Sequence, residues 1–263
     1  MGFVGGGKMA EAMISSLIRG HVAQAHELFV SDVAADRRDI LKSLYGVNVY
    51  SRNRAVPESV EVLVLAVKPQ DLAAVMLELE SDIGAEHLLV SIAAGKTLAF
   101  IEAFVPRARV IRVMPNLACQ VSEGMSVFCM GSGATEADRR IAERMLTSFG
   151  RALELPEATF DAVTALSGSG PAFFAFVMNA MVAAAVDEGM VAEDALVLAR
   201  QTMLGTARVL IERGMPPSEL IAAVASPGGT TAAGLAVLEK SDLRAVLART
   251  IKAAARRSAE LSS

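Results

Sequence analysis

The chain opens "MGFVGGGKMAEAMISSLIRG", and no other stretch constrains the fold as strongly: a short β-prone run, the glycines Gly5, Gly6 and Gly7, then a helix with an apolar face reaching about Ile18. A strand that turns through glycines straight into a helix presents backbone N–H groups at the positive end of the helix dipole, an arrangement suited to an anion. Gly5-x-Gly7-x-x-Ala10 fits the dinucleotide fingerprint. The first glycine makes the turn, the second lets backbone reach a pyrophosphate, and the small third residue packs helix on strand. Such turns also occur without a nucleotide, so the pattern of the neighbouring elements must decide. Further β-prone runs at Leu28–Ser31, Val62–Val67, Leu88–Ile92 and Val110–Val113, separated by helical stretches, give the alternation of a Rossmann-type α/β fold with a doubly wound, mostly parallel sheet. The run before Gly5 is short, and an earlier natural start than Met1 would lengthen it.

In an open sheet of this kind the carboxyl ends of the strands line the binding crevice. Three loops follow β-prone runs, "AVKPQ" at 66–70, "SIAAG" at 91–95 and "VMPN" at 113–116, which makes Lys68, Ala93, Ala94 and Asn116 candidates for contacts along the dinucleotide. Asp32 follows the second run at the distance where a carboxylate accepts from the adenosine ribose, which favours NAD(H). Arg37, Arg38, Arg52 and Arg54 lie close in sequence to the same place and are able to hold a 2′-phosphate, so NADP(H) stands beside it.

Strand signal ends near Thr159, predicting a dinucleotide-binding domain over 1–157 and an all-α domain over 158–263. "SGSGP" at 167–171 reads as the start of the longest helix and a domain hinge, with Ser169 capping and Pro171 in the first turn; a substrate-facing role is the alternative. Hydrophobic residues make up 53% of the chain, and the mean hydropathy of +0.43 asks for additional burial. The longest apolar run, Pro171–Val186, is shorter than the roughly 20 residues of a membrane span and ends in Asp187 and Glu188, so it reads as a helical subunit interface of at least a homodimer. A net charge of −4 with scattered Lys and Arg gives no footprint for nucleic acid. Cys119 and Cys129 form neither a metal pattern nor a disulfide framework. With no leader segment visible, a reducing, cytoplasmic compartment is expected.

Acid–base residues are scarce: the histidines are His21, His26 and His87, and no lysine occurs between Lys96 and Lys240. Dehydrogenases of hydroxy acids bring a Lys or His to the substrate hydroxyl because its proton must leave. Hydride transfer to an already protonated C=N group needs no such residue, so the inventory favours imine reduction. "SPGGTT" at 226–231 interrupts the helical half with a stiff proline, two glycines that allow close approach and two hydroxyls, more than a turn requires.

With "GGGKMAEAM", "AVKPQ", "SIAAG", "RVMPN", "ALSGSGPAF" and "SPGGTT" in this order, the chain resembles the pyrroline-5-carboxylate reductases over essentially its whole length. The resemblance implies reduction of 1-pyrroline-5-carboxylate to L-proline, the final step of proline biosynthesis, with NADPH or NADH. It also implies a Rossmann domain followed by a helical domain that forms an intertwined homodimer, often assembled further. Carried over by motif, cofactor contacts fall on Val4, Gly5, Gly6, Gly7, Lys8, Met9, Ala10, Ser31, Asn53, Ala66, Val67, Lys68, Pro69, Ala93, Ala94 and Gly95, beside Asp32. The substrate pocket falls on Val224, Ser226, Gly228, Gly229, Thr230 and Thr231. Ser226 is expected to cap a helix that Pro227 begins, with the donors of Gly228, Gly229 and Thr230 converging on the carboxylate. Thr231 is the expected catalytic contact, to the ring nitrogen. Many bacterial relatives carry an arginine soon after the second strand where this chain has Val33, which weakens the implied NADPH preference. Two rival readings are a reductase of another small oxo or imino acid and a dinucleotide-binding regulatory protein.

Overall fold

The computed structural model describes residues 1–262. Strands β1 (Gly2–Val4), β2 (Phe29–Ser31), β3 (Asn48–Tyr50), β4 (Val62–Leu65), β5 (Leu88–Ser91), β6 (Arg109–Met114), β7 (Gly124–Met130) and β8 (Gly150–Glu154) form one sheet in the order β3-β2-β1-β4-β5-β6-β7-β8. Between them run helices α1 (Lys8–Arg19), α2 (Ala35–Tyr45), α3 (Leu72–Leu79), α4 (Leu98–Phe104) and α5 (Glu136–Thr147). Neighbouring strands are parallel except β6 and β7. Chain order therefore reverses between β1 and β4, the topological switch point at which a crevice opens beyond the strand ends. The four runs expected after the first strand are β2, β4, β5 and β6; β3, β7 and β8 were not anticipated.

Successive side chains of a strand point to opposite faces, and the core divides accordingly. Phe3, Val64, Val90 and Ile111 pack with Met13 and Leu17 of α1 and Met145 of α5 on one face. Val4, Leu63, Leu65, Leu89 and Val110 pack with Leu72 and Met76 of α3 and Ile101 of α4 on the other. Covering both faces is what makes the strands read as unbroken apolar runs. A capping box starts α5, with Thr135 accepting from the Asp138 N–H and the Asp138 carboxylate accepting from the Thr135 N–H. Asp138 is wholly buried and also takes a hydrogen bond of 2.7 Å from Arg109 Nη1 on β6.

Beyond the sheet lie α6 (Phe160–Val163), a π turn at Thr164–Gly168, α7 (Gly170–Asp187), α8 (Ala192–Arg213), α9 (Pro217–Val224), α10 (Thr230–Lys240) and α11 (Leu243–Ser262). As expected, "SGSGP" opens a helix: α7 begins at Gly170 with Pro171 in its first turn, after a bend at Ser169 that follows the π turn. The Ser169 N–H reaches back to Thr164 O at 2.8 Å in the wide hydrogen bond of a π turn, and among the described residues no N–H of α7 donates to the Ser169 hydroxyl, so the expected side-chain cap is not made. Pro171 lacks the N–H that would meet Ser167 O, and Asn116 Nδ2 supplies a donor there instead, at 3.3 Å. Nor is α7 the longest helix, since α8 has 22 residues and α11 has 20.

The chain forms two compact units: Met1–Ser169 together with the chain from Lys252 onward, and Gly170–Ile251. The first unit thus extends past the boundary at 157 expected from sequence and takes in the end of α11, where Ser258 Oγ donates to Asp161 Oδ1 at 2.7 Å. Within the second unit only Gly170 and Ala195 are buried. An apolar groove of about 590 Å³ runs between α7 and α8, lined by side chains that include Phe174, Met178, Met181, Leu198 and Leu210. The stretch Glu157–Asp187 is long and apolar enough to cross a membrane by length and composition, so the shortfall read from the apolar run alone does not carry over to the helix.

Candidate active site

At the switch point β1 runs into Gly5, whose φ of +96° suits glycine, and a Cβ there would stand 2.8 Å from Ala66 O. Its N–H donates to Ser31 O at 2.9 Å. Gly6 donates to Asp32 Oδ2 at 2.8 Å and is hemmed in by Leu41. Gly7, the N-cap of α1, has open space beside it and no side-chain acceptor. Its carbonyl takes the Glu11 N–H at 2.9 Å, while the N–H groups of Gly7, Lys8, Met9 and Ala10 have no backbone partner among the described residues. Ala10 is wholly buried against the sheet. Four unpaired donors at a helix start beside open space fit a diphosphate.

Around the neighbouring strand ends, Ser31 Oγ donates to Asn53 Oδ1 at 2.9 Å, and Asn53 Nδ2 donates to Glu78 at 2.8 Å. The Asp32 carboxylate accepts from the N–H groups of Gly6 and Ala34, each at 2.8 Å, and keeps lone pairs for a further donor. Three of the four arginines considered for a 2′-phosphate are bound to the protein itself. Arg37 donates to Gly6 O, Arg38 to the carbonyls of Asp32 and Val33, and Arg54 to Glu78 O. Arg52 is exposed, and Val33 is 87% exposed.

Ala66 extends the sheet by donating to Val4 O at 2.8 Å, and Val67, Lys68 and Pro69 lead into a turn closed from Asp71 N–H to Lys68 O at 2.9 Å. After β5, Ala93 is buried and Gly95 adopts φ +74°, with a Cβ there falling 3.1 Å from Leu261 O of α11. That contact with the last turn of α11 had no signal in the sequence. Asn116 is engaged elsewhere than expected: Oδ1 accepts from the Met125 N–H at 3.1 Å, and Nδ2 serves the π turn.

In the second unit α9 ends at Val224, and Ser226-Pro227-Gly228-Gly229 forms a turn closed from Gly229 N–H to Ser226 O at 3.0 Å. Pro227 second and Gly228 third, with φ +71°, are the requirements of a type II turn. The N-cap of α10 is Gly229 and not the expected Ser226, which belongs to the turn, and Pro227 lies outside the helix. The Gly229 N–H is engaged in closing the turn, whereas those of Gly228, Thr230, Thr231 and Ala232 have no backbone partner among the described residues.

No group of His, Cys, Asp or Glu able to hold a metal ion occurs among the described residues. Burial raises the Cys119 thiol above its usual range, and burial together with the charge of Glu157 pushes Cys129 up to about 12, so neither is a ready nucleophile.

Unpaired donors set over the point where strand order reverses are how the Rossmann oxidoreductases take up a dinucleotide, and that is the class this fold and turn define. Residues 1–95 match the family model described as NADP oxidoreductase, coenzyme F420-dependent, and residues 157–261 match that described as pyrroline-5-carboxylate reductase dimerisation. A pyrroline-5-carboxylate reductase of Methanosarcina acetivorans is 41% identical over 99% of this chain and 97% of its own length, and one of Arabidopsis thaliana is 40% identical over 100% and 95%. Among solved structures, that of a pyrroline-5-carboxylate reductase from Coxiella burnetii matches with a TM-score of 0.94 at 32% identity, covering 100% of this chain and 98% of that one. The Plasmodium falciparum pyrroline carboxylate reductase with NADP bound matches at 0.88 and 27%, covering 100% and 97%. The chain belongs to the pyrroline-5-carboxylate reductase family.

Proposed function

We propose that this protein reduces 1-pyrroline-5-carboxylate to L-proline with NADH or NADPH, the final step of proline biosynthesis. The observation that carries the reading is the presence, in a member of this family, of two separate sets of unpaired backbone donors, one at the start of α1 and one at the start of α10. The first set, Gly7 to Ala10, holds the diphosphate. Asp32 accepts from the adenosine ribose beside Ser31 and Asn53, and the loops Ala66–Pro69 and Ala93–Gly95 face the nicotinamide.

When bound, the reduced nicotinamide supplies a hydride to the C=N carbon. The donors of Gly228, Thr230 and Thr231, near Val224, Ser226 and Gly229, grip the pyrroline carboxylate. A helix dipole contributes only about 0.3–1 kcal/mol to such a grip, whereas each hydrogen bond to a charged group contributes about 1.5–3 kcal/mol, so the aimed donors dominate. Thr231 meets the ring nitrogen and orients the ring. No residue needs to deliver a proton, because the imine arrives protonated and the product amine keeps that proton. Rate then comes from positioning and from exclusion of water.

A homodimer, able to assemble further, covers the apolar faces of α7 and α8, and a cytoplasmic enzyme of small molecules is consistent with that covering. The test is to mix purified protein with 1-pyrroline-5-carboxylate and each reduced nicotinamide in turn, monitoring cofactor absorbance and proline. Turnover of a different imino or oxo acid with none of this substrate would overturn the proposal.

A further inference from the structure

Arg37 lies in sequence where a 2′-phosphate ligand would be sought, yet its guanidinium is turned to the protein through Nε and Nη2. Nε and Nη2 both donate to Gly6 O, at 2.9 and 2.8 Å, and Nη2 also meets Glu11 Oε2 at 2.6 Å. The other oxygen of Glu11 accepts from the Tyr45 hydroxyl at 3.3 Å. Both side chains of the ion pair are 24% exposed, so the pair sits mostly out of water. With Asp32 holding the Gly6 N–H, that residue is gripped through both its N–H and its carbonyl.

No peptide bond among the described residues is cis, and a trans peptide points its C=O and the next N–H to opposite sides. Fixing Gly6 O on Arg37 therefore aims the Gly7 N–H away from Arg37. We propose that Arg37 is a positioning residue for the dinucleotide, setting the Gly7 peptide that faces the diphosphate and playing no part in reading the 2′-phosphate. Its charge acts too. Glu11 lies in the first turn of α1, and without a partner its carboxylate would repel a diphosphate bound at that turn.

This inference rests on the proposed function only in taking a nicotinamide dinucleotide as the ligand. Wild-type protein, Arg37→Ala and Arg37→Lys are titrated with NADH and with NADPH by nicotinamide fluorescence, with no substrate present. The expected result is that Arg37→Ala weakens both cofactors by the same factor of about tenfold. Arg37→Lys keeps the charge but loses the fork, and weakens both equally and less. The ratio of NADPH to NADH affinity stays constant throughout, and the KM for 1-pyrroline-5-carboxylate does not move. A loss confined to NADPH would overturn the inference, as would unchanged affinity for both. Should Arg37→Ala fail to fold, Arg37→Lys decides by the same comparison. Wild-type protein that bound neither cofactor would overturn the proposed function instead.

Discussion

Thr231 is the side chain of which the proposed chemistry asks most, since it alone is assigned to the ring nitrogen. It sits in the first turn of α10, directly after the type II turn, where backbone geometry is fixed by Gly228 and Gly229. Thr231→Ala keeps the helix start and removes only the hydroxyl. Turnover should fall about tenfold, by loss of one hydrogen bond to a charged group, while NADH and NADPH affinity stays at the wild-type value. Unchanged kcat and KM would remove Thr231 from the mechanism. The glycines of the first turn were legible in the sequence because their roles stem from backbone sterics: positive φ at Gly5, open space at Gly7. The place of Ser226 is not legible in the sequence because proline and glycine in succession suit both a helix start and a type II turn, and only the fold decides between them. The engagement of Arg37 with Gly6 and Glu11 was invisible for another reason: its partners lie on a different strand–helix turn, brought close only by tertiary packing.

At the scale of elements, the strands that escaped notice are those with weak or mixed patterning. β3 has three residues, none fully buried, and β8 is an edge strand carrying exposed Arg151 and Glu154. β7 mixes Gly124, Ser126 and Cys129 into its run and turns antiparallel. The link between β7 and β8 is α5, whose capping box is readable as Thr135 followed by Asp138, but whose buried ion pair with Arg109 is not. Loss of a capping group costs about 1 kcal/mol, and removing one partner of a buried ion pair costs about 3–5 kcal/mol; Arg109 is partly exposed, which lowers the second figure. Asp138→Ala should therefore destabilise the protein by about 3 kcal/mol, measured as a lower urea midpoint with an unchanged slope. A loss below about 1 kcal/mol would mean that water takes over the role of the carboxylate.

At the scale of the whole molecule, the second unit poses the problem that the sequence raised through its high hydropathy. A helical unit in which only Gly170 and Ala195 are buried has no core of its own, yet Phe174, Phe176, Met181 and Leu198 are each more than half exposed. Fully burying one such side chain stabilises by about 1.5–3 kcal/mol, so a partner laid along α7 and α8 gains enough from a few of them to associate stably. The family model matched over these residues is one of dimerisation, which favours a second copy of the chain over lipid. Leu198 lines the groove between α7 and α8 and is far in sequence from both donor sets, so Leu198→Glu tests the association without touching the proposed chemistry directly. A carboxylate placed against apolar side chains must either stay hydrated or lose its charge, and either outcome opposes closure of the interface. Sedimentation should show the wild-type protein as a dimer or larger and Leu198→Glu shifted to the monomer, with a lower melting temperature that no longer rises with protein concentration. A variant that stayed dimeric with wild-type affinity would place the interface on another face of the second unit. If detergent, and not a second copy, were needed to keep the wild-type protein in solution, the helix Glu157–Asp187 would have to be read as a membrane segment.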